Sequence, residues 1–260
     1  MTAVSAALAV TIGRGPAGTV AVAAAVLAGQ LTIGWTNDYL DRGRDAAVGR
    51  RDKPLTRGDI TPATVRGAAI VAAVAVVPLS LLSGVIAAAL HLMAVASGLT
   101  YDRWLKSTAV SVLPFVVSFG LLPAFVVAGL PGHPAPPAWV VAAGALLGAA
   151  AHFANVLPDL DDDARTGVRG LPHRLGAMPS RIVTVVLLTA ACLTLGFAPP
   201  GPVRPGQVIG VVAALIVGVS GLVIGRRPGS RAAFYAVMVA AAIDVALLLA
   251  AGHDVPAVVG

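Results

Sequence analysis

The chain has 260 residues, of which 57% are hydrophobic and only 12% charged, and its mean hydropathy is +0.88. Soluble domains carry about 25% charged residues, so the composition excludes an ordinary soluble domain and predicts a membrane protein. The net charge of +6 is explained by membrane topology rather than by nucleic-acid binding. The single cysteine, Cys192, excludes an intramolecular disulfide framework.

The apolar stretches predict nine transmembrane helices, because a helix needs about 20 apolar residues to cross the hydrocarbon core. We place them at 2–12 and 15–37, as a pair within 67–101, as a pair within 107–158, and at 182–203, 205–225 and 232–252. The first is short. The predicted fold is therefore all-α, a polytopic membrane protein with about nine transmembrane helices around a central cavity, in a single domain spanning 1–260.

The charged residues are distributed unequally between the predicted loops. Sixteen of the eighteen Lys and Arg residues follow the second, fourth, sixth and eighth helices, and only Arg14 and Arg204 lie on the other face. The positive-inside rule then predicts a multi-pass cell-membrane protein with these loops in the cytoplasm, the N-terminus inside and the C-terminus outside. Ten of the twelve Asp residues share the cytoplasmic face. Because Asp contributes little to topology, it must have another purpose there.

A first acidic cluster ends the second predicted helix. Asp38, Asp41 and Asp45 are spaced i, i+3, i+7, and Asn37 precedes Asp41 by four residues. If the helix continues past Asn37, all of these side chains share one face. Like charges on one stripe repel each other, so we expect a cation between them.

A second cluster repeats this arrangement after the sixth helix, where Asn155, Asp159 and Asp163 are spaced i, i+4, i+8. Hard oxygen ligands without His or Cys favour Mg²⁺, which completes its coordination with water and phosphate oxygens. The two clusters together therefore predict a magnesium site that holds the diphosphate of a lipid. If the segment is helical, Asp161 and Asp162 point away from this stripe, and we expect them to be solvated rather than to bind an additional metal.

Basic side chains near the clusters can neutralise a diphosphate and the charge that grows on it as it leaves. They are Arg50, Arg51, Lys53 and Arg57 after the first cluster, and Arg165, Arg169 and Arg174 after the second. Among these we select Lys53, Arg50 and Arg169 as substrate-binding candidates.

Three segments together resemble one known family. Residues 37–55, NDYLDRGRDAAVGRRDKPL, resemble the NDxxDxxxD motif of the UbiA superfamily of intramembrane prenyltransferases, and residues 155–176 resemble its DxxxD motif. Residues 101–106, YDRWLK, resemble the segment in which that family carries a Tyr and a Lys.

The resemblance implies Mg²⁺-dependent transfer of a prenyl chain from an allylic (poly)prenyl diphosphate to an unidentified acceptor within the membrane. It also implies that both acidic motifs bind the metal and that Lys53, Tyr101 and Lys106 contact the diphosphate. The metal ligands that it implies are Asn37, Asp41, Asp45, Asp159 and Asp163, and the spacing within the clusters adds Asp38 and Asn155 as candidates. The catalytic carboxylates among them are Asp41, Asp45, Asp159 and Asp163. The aromatic candidates for stabilising an allylic cation are Trp35, Tyr39, Trp104 and Phe153.

Two other functions remain open at this stage. A terpene cyclase could use the same metal and diphosphate site, although only twelve aromatic residues are available to stabilise successive cations. A cation-coupled transporter could bind its ion through Asp, but such sites usually lie near the bilayer midplane rather than at helix ends.

Overall fold

The computed structural model describes residues 1–160, 163, 166–224 and 232–252, which form helices and connecting turns without a strand. The prediction of an all-α fold is confirmed for these residues. The α-helices are α1 Thr2–Thr11, α2 Pro16–Ala47, α3 Pro54–Arg57, α4 Pro62–Leu81, α5 Val85–Thr100, α6 Leu113–Ala128, α7 Ala138–Val156, α8 Leu171–Leu175, α9 Ala177–Phe197, α10 Pro205–Ile224 and α11 Ala232–Gly252.

Six helical segments of the described chain are long and apolar enough to cross a membrane. They are Pro16–Ala47, Pro62–Leu81, Val85–Leu105, Ala138–Asp159, Ala177–Phe197 and Tyr235–Gly252. Three shorter apolar helices, α1, α6 and most of α10, lie where the sequence predicts the remaining spans. The count of nine transmembrane helices therefore stays a prediction.

The long helix α2 carries the first acidic cluster. It continues past Asn37 to Ala47 without interruption, as the placement of the cluster on one helical face requires. The chain turns away at Gly49, whose φ of 70° is a left-handed conformation that favours glycine. The first cluster thus extends from the apolar part of the same helix.

The helix α7 ends before the second acidic cluster is complete. Its last residue is Val156, and Leu157–Asp159 form a 3-10 turn. Pro158 lacks an amide hydrogen and does not fit a continuing α-helix. The second motif thus passes through a 3-10 turn, and the cavity described below brings Asn155, Asp159 and Asp163 together. Their placement on one continuous helical stripe stays a prediction, because residues 161 and 162 lie outside the described residues.

The helices close into a bundle because the first and the last pack against each other. α1 contacts both α2 and α11, α11 contacts α9 and α10, and α6 lies between α5 and α7. α6 and α7 approach closely at two glycines: a Cβ atom added at Gly144 would lie 2.4 Å from the Phe119 carbonyl oxygen, and one at Gly148 would lie 2.3 Å from that of Phe115. Small residues permit this kind of close packing in membrane helices.

We expect Gly148→Ala to lower the melting temperature of the detergent-purified protein, because the new methyl group must separate α6 from α7. Overpacking of this kind costs about 1–3 kcal/mol. Gly67→Ala in α4 is the matched control, since no atom lies within 4 Å of the Cβ position there. Equal melting temperatures for the two variants would contradict the packing argument.

Candidate active site

A cavity of about 460 Å³ lies where the two acidic clusters meet. Ten of the residues selected from the sequence line it, and they come from three separate segments of the chain. These residues are Asn37, Asp41, Asp45, Arg50, Lys53, Tyr101, Lys106, Asn155, Asp159 and Asp163. The fold therefore brings both acidic motifs and their basic neighbours to one place.

Two of the selected residues do not line this cavity. Asp38 lies beside it, and its carboxylate pairs with the Lys53 side chain. Arg169 is exposed, and its backbone carbonyl accepts a hydrogen bond from Arg174 Nε at 3.1 Å. Their roles in binding metal and substrate stay predictions. Asp161, Asp162 and Arg165 lie outside the described residues.

Asp41 is the centre of the first motif. One of its carboxylate oxygens, Oδ1, accepts hydrogen bonds from both Arg44 and Lys106. Arg44 follows Asp41 by three residues on α2, whereas Lys106 comes from the segment after α5. Arg44 also lines the cavity and was missed in the sequence, although its i+3 spacing from Asp41 was a usable signal.

Arg50 connects the loop after the first motif to the second motif. Its guanidinium lies 3.3 Å from Asp159 Oδ2 and 3.2 Å from Asp52 Oδ2. The hydrogen bond to Asp52 and, to a lesser degree, the charge of Asp159 raise the pKa of Arg50. The same hydrogen bond lowers the pKa of Asp52. Arg50 therefore stays charged at the mouth of the cavity.

The other carboxylate of the second motif is partly buried. Asp163 Oδ2 lies 3.3 Å from His173 Nε2, which belongs to the short helix α8. Burial raises the pKa of Asp163, and the neighbouring His173 opposes this effect. Asp163 is thus held by the segment that follows it in the chain.

A π turn shapes the wall opposite α2. Residues Tyr101–Leu105 form it, and the Lys106 amide donates to the Tyr101 carbonyl at 3.1 Å. In an α-helix, residues five apart are rotated by about 140° from each other, whereas the wider π turn returns them nearly to one face. Tyr101, Asp102 and Lys106 consequently all line the cavity.

The aromatic residues of the cavity differ from the expected ones. Phe115 and Phe119 lie one turn apart on α6, and the Tyr101 ring meets the Phe115 ring edge-on at 5.0 Å between centroids. None of the four aromatic candidates selected from the sequence, Trp35, Tyr39, Trp104 and Phe153, is among the described residues that line this cavity. Proximity in sequence to the motifs was a poor guide, because α6 carries no motif of its own.

A second cavity of about 220 Å³ adjoins the first and is almost entirely apolar. Side chains from α1, α6, α7, α9 and α11 line it, and Phe119 and Asn155 line both cavities. The polar cavity is therefore next to an apolar space between the helices.

Ser111 fastens the segment after the second motif to the segment that carries Lys106. Its Oγ lies 2.9 Å from His152 Nε2 and accepts a hydrogen bond from the Leu171 amide at 2.9 Å. The neighbouring Gly170 packs so closely that an added Cβ would lie 2.6 Å from the Lys106 carbonyl oxygen. Both sides of the cavity mouth are thus held in fixed register.

We expect Ser111→Ala to release this segment, because the Leu171 amide and the His152 ring would lose their shared partner. One lost hydrogen bond of about 1 kcal/mol corresponds to roughly fivefold faster opening. The measurement is the rate of tryptic cleavage after Arg169 and Arg174. Ser97→Ala is the matched control, because the Ser97 hydroxyl donates to the Pro114 carbonyl and not to the segment after the second motif. Identical cleavage rates would contradict the role of Ser111.

The donor set of the cavity fits Mg²⁺. All of its acidic and amide donors are hard oxygen ligands, and the basic side chains around them suit phosphate. No group of three or more Asp, His or Cys residues in the described chain lies close enough to hold an ion by itself. Mg²⁺ usually takes one or two protein carboxylates and completes its shell with water and substrate phosphates, so this arrangement suits a metal bound together with a diphosphate.

The model of the UbiA prenyltransferase family matches residues 1–253 of the chain. No curated protein matches it.

Solved structures show the same fold at low sequence identity. A UbiA homologue from Aeropyrum pernix K1, in its apo form, is 18% identical with a TM-score of 0.73, and the match covers 96% of each chain. A UbiA homologue from Archaeoglobus fulgidus bound to GPP and Mg²⁺ is 14% identical with a TM-score of 0.71, covering 96% of this chain and 95% of that one. A digeranylgeranylglyceryl phosphate synthase is 13% identical with a TM-score of 0.69, covering 97% and 91%.

Proposed function

The chain belongs to the UbiA prenyltransferase family, and on that premise we propose that it transfers a prenyl group from an allylic prenyl diphosphate to an acceptor in the membrane, with Mg²⁺ as cofactor. One observation carries the proposal. Both acidic motifs and the basic residues around them line a polar cavity, and an apolar cavity lies next to it, with Phe119 and Asn155 lining both. Such a pair of cavities suits a substrate with a charged head and a hydrocarbon chain.

The polar cavity receives the diphosphate. The carboxylates of Asp41, Asp45, Asp159 and Asp163, with the amide oxygens of Asn37 and Asn155, would hold Mg²⁺, which neutralises the diphosphate and makes it a better leaving group.

The basic side chains of the cavity complete the diphosphate site. Lys106, Arg44 and Arg50 are paired with these carboxylates. When a cation and a diphosphate bind, these side chains exchange a carboxylate for a phosphate oxygen as their partner. The same cavity therefore balances its own charge with and without substrate.

The reaction takes place at the junction of the two cavities. The bond between C1 of the prenyl chain and the diphosphate oxygen breaks, and the diphosphate keeps the electron pair. The faces of Phe115, Phe119 and Tyr101 stabilise the allylic cation. The acceptor then forms a new bond to C1 and releases a proton, while the apolar walls exclude water.

The apolar cavity limits the length of the donor. It follows α7 from Asn155 to Gly144 and α11 from Val237 to Leu248, and eleven residues of helix correspond to about 16 Å. An extended isoprenoid unit has four carbon–carbon bonds along the chain. If each bond extends the chain as far as a bond of an extended polypeptide backbone does, the unit spans about 4.7 Å. We therefore propose a donor of up to three isoprenoid units.

Two further features support this proposal, one for prenyl transfer rather than cyclisation and one for a cavity that opens to the cytoplasm. Phe119 is the one aromatic residue among the described residues of the apolar cavity, whereas a cyclase must stabilise several successive cations along the chain. The basic residues concentrated around the polar cavity favour a cytoplasmic opening, with the N-terminus inside and the C-terminus outside.

Asp41→Asn and Asp159→Asn should each reduce Mg²⁺-dependent release of diphosphate from C10, C15 and C20 prenyl diphosphates by at least about a hundredfold. The reason is that each substitution removes a negative charge that attracts Mg²⁺. Asp59→Asn serves as control, since Asp59 pairs with Arg57 outside the cavity. Full activity in both cavity variants would overturn the proposed site. Cyclised hydrocarbon formed without an acceptor would instead identify a cyclase.

Ala151→Phe should block the apolar cavity about 6 Å from Asn155, one helical turn along α7. The ratio of kcat/KM for the C15 donor to that for the C5 donor should fall by roughly a hundredfold, because the larger side chain overpacks the path of the longer chain. Ala142→Phe, on an exposed face of the same helix, should leave the ratio unchanged. An unchanged ratio in Ala151→Phe would show that the chain lies elsewhere.

A further inference from the structure

Asp102 is a buried carboxylate that the sequence analysis did not select. It is only 4% exposed, it lies in the π turn, and it lines the polar cavity. Its Oδ2 has no hydrogen-bond partner among the described residues. Burying an incompletely bonded carboxylate costs free energy, and a neutral side chain of the same shape is often more stable. Stability of the fold therefore does not explain Asp102.

The amide of Asn37 lies between two carboxylates. Oriented so that its nitrogen donates, it lies 3.2 Å from Asp102 Oδ1 and 3.0 Å from Asp41 Oδ2. Both amide hydrogens are then used, which fixes the amide plane and turns its carbonyl oxygen away from the two acids. That oxygen is the atom through which an Asn side chain binds a cation such as Mg²⁺.

We propose that Asp102 is a positioning residue for the metal site, and that its carboxylate holds the Asn37 amide with the oxygen presented to the cation. The inference rests on the proposed Mg²⁺-dependent function. Partners that orient a metal ligand commonly change metal affinity by about 10- to 100-fold when they are removed. Asp102 acts through Asn37 and needs no contact with the substrate.

The π turn supports this assignment independently. It places Lys106 against Asp41 and Asp102 against Asn37, so that a single turn contacts two of the polar residues on the cavity face of α2. The wider turn also keeps Tyr101, five residues before Lys106, at the cavity. Isolated π turns inside helices occur frequently at functional sites.

The test measures metal binding without the reaction. Mn²⁺ is titrated into the detergent-purified full-length protein with inorganic pyrophosphate, and free Mn²⁺ is followed by electron paramagnetic resonance. We expect Asp102→Ala to weaken Mn²⁺ binding 10- to 100-fold. Asp102→Asn should restore most of the affinity, because its amide oxygen accepts the same hydrogen bond from Asn37. The melting temperature of Asp102→Asn should equal or exceed that of the unaltered protein.

Three results would overturn the inference. Unchanged Mn²⁺ affinity in Asp102→Ala would show that Asn37 needs no such partner. An Asp102→Asn variant as weak as Asp102→Ala would show that the carboxylate charge, not the hydrogen bond, is what matters. Asp41→Asn separates the inference from the proposed function: if this variant also binds Mn²⁺ normally, the metal site itself is wrong, whereas its loss of binding leaves only the role of Asp102 in question.

Discussion

Repulsion between carboxylates is the constraint on which the site depends. Several Asp side chains face one cavity, and each needs a positive partner while it is partly shielded from water. The partners come from different parts of the chain: Lys106 follows α5, whereas Arg50 follows α2 and reaches Asp159 beyond α7. Charge balance therefore holds these segments together around the cavity, and the arrangement that neutralises the acids also places cations where a phosphate can meet them.

Packing between helices sets the shape of the space behind this charged mouth. α6 and α7 touch at Gly144 and Gly148, where no side chain separates the backbones. The aromatic rings of Phe115 and Phe119 lie on the same helix pair and border the polar cavity. The shape of the cavity wall is consequently determined by the backbone of one closely packed pair, with aromatic side chains lining it.

Much of the site followed from the sequence because charge is conspicuous in an apolar chain. The continuation of α2 and the convergence of both acidic clusters depend on the spacing of the acidic residues and on hydropathy. Both can be determined from the sequence. Other features depend on three-dimensional context. The 3-10 turn at Pro158 and the π turn that contains Asp102 leave no compositional signal. The aromatic wall was missed for the same reason, since Phe119 becomes a cavity residue only through helix packing.

The sequence separation of the ion pairs has a consequence for biosynthesis. Arg44 can pair with Asp41 as soon as α2 forms, but Lys106 lies 65 residues farther along, and Arg50 meets Asp159 only across a separation of 109 residues. The acidic end of α2 therefore remains incompletely neutralised while the ribosome synthesises the helices between α2 and Asp159 and the translocon inserts them. A nascent chain cannot complete these ion pairs until the residues after α7 have emerged, so no fragment that ends before Asp159 contains the full set.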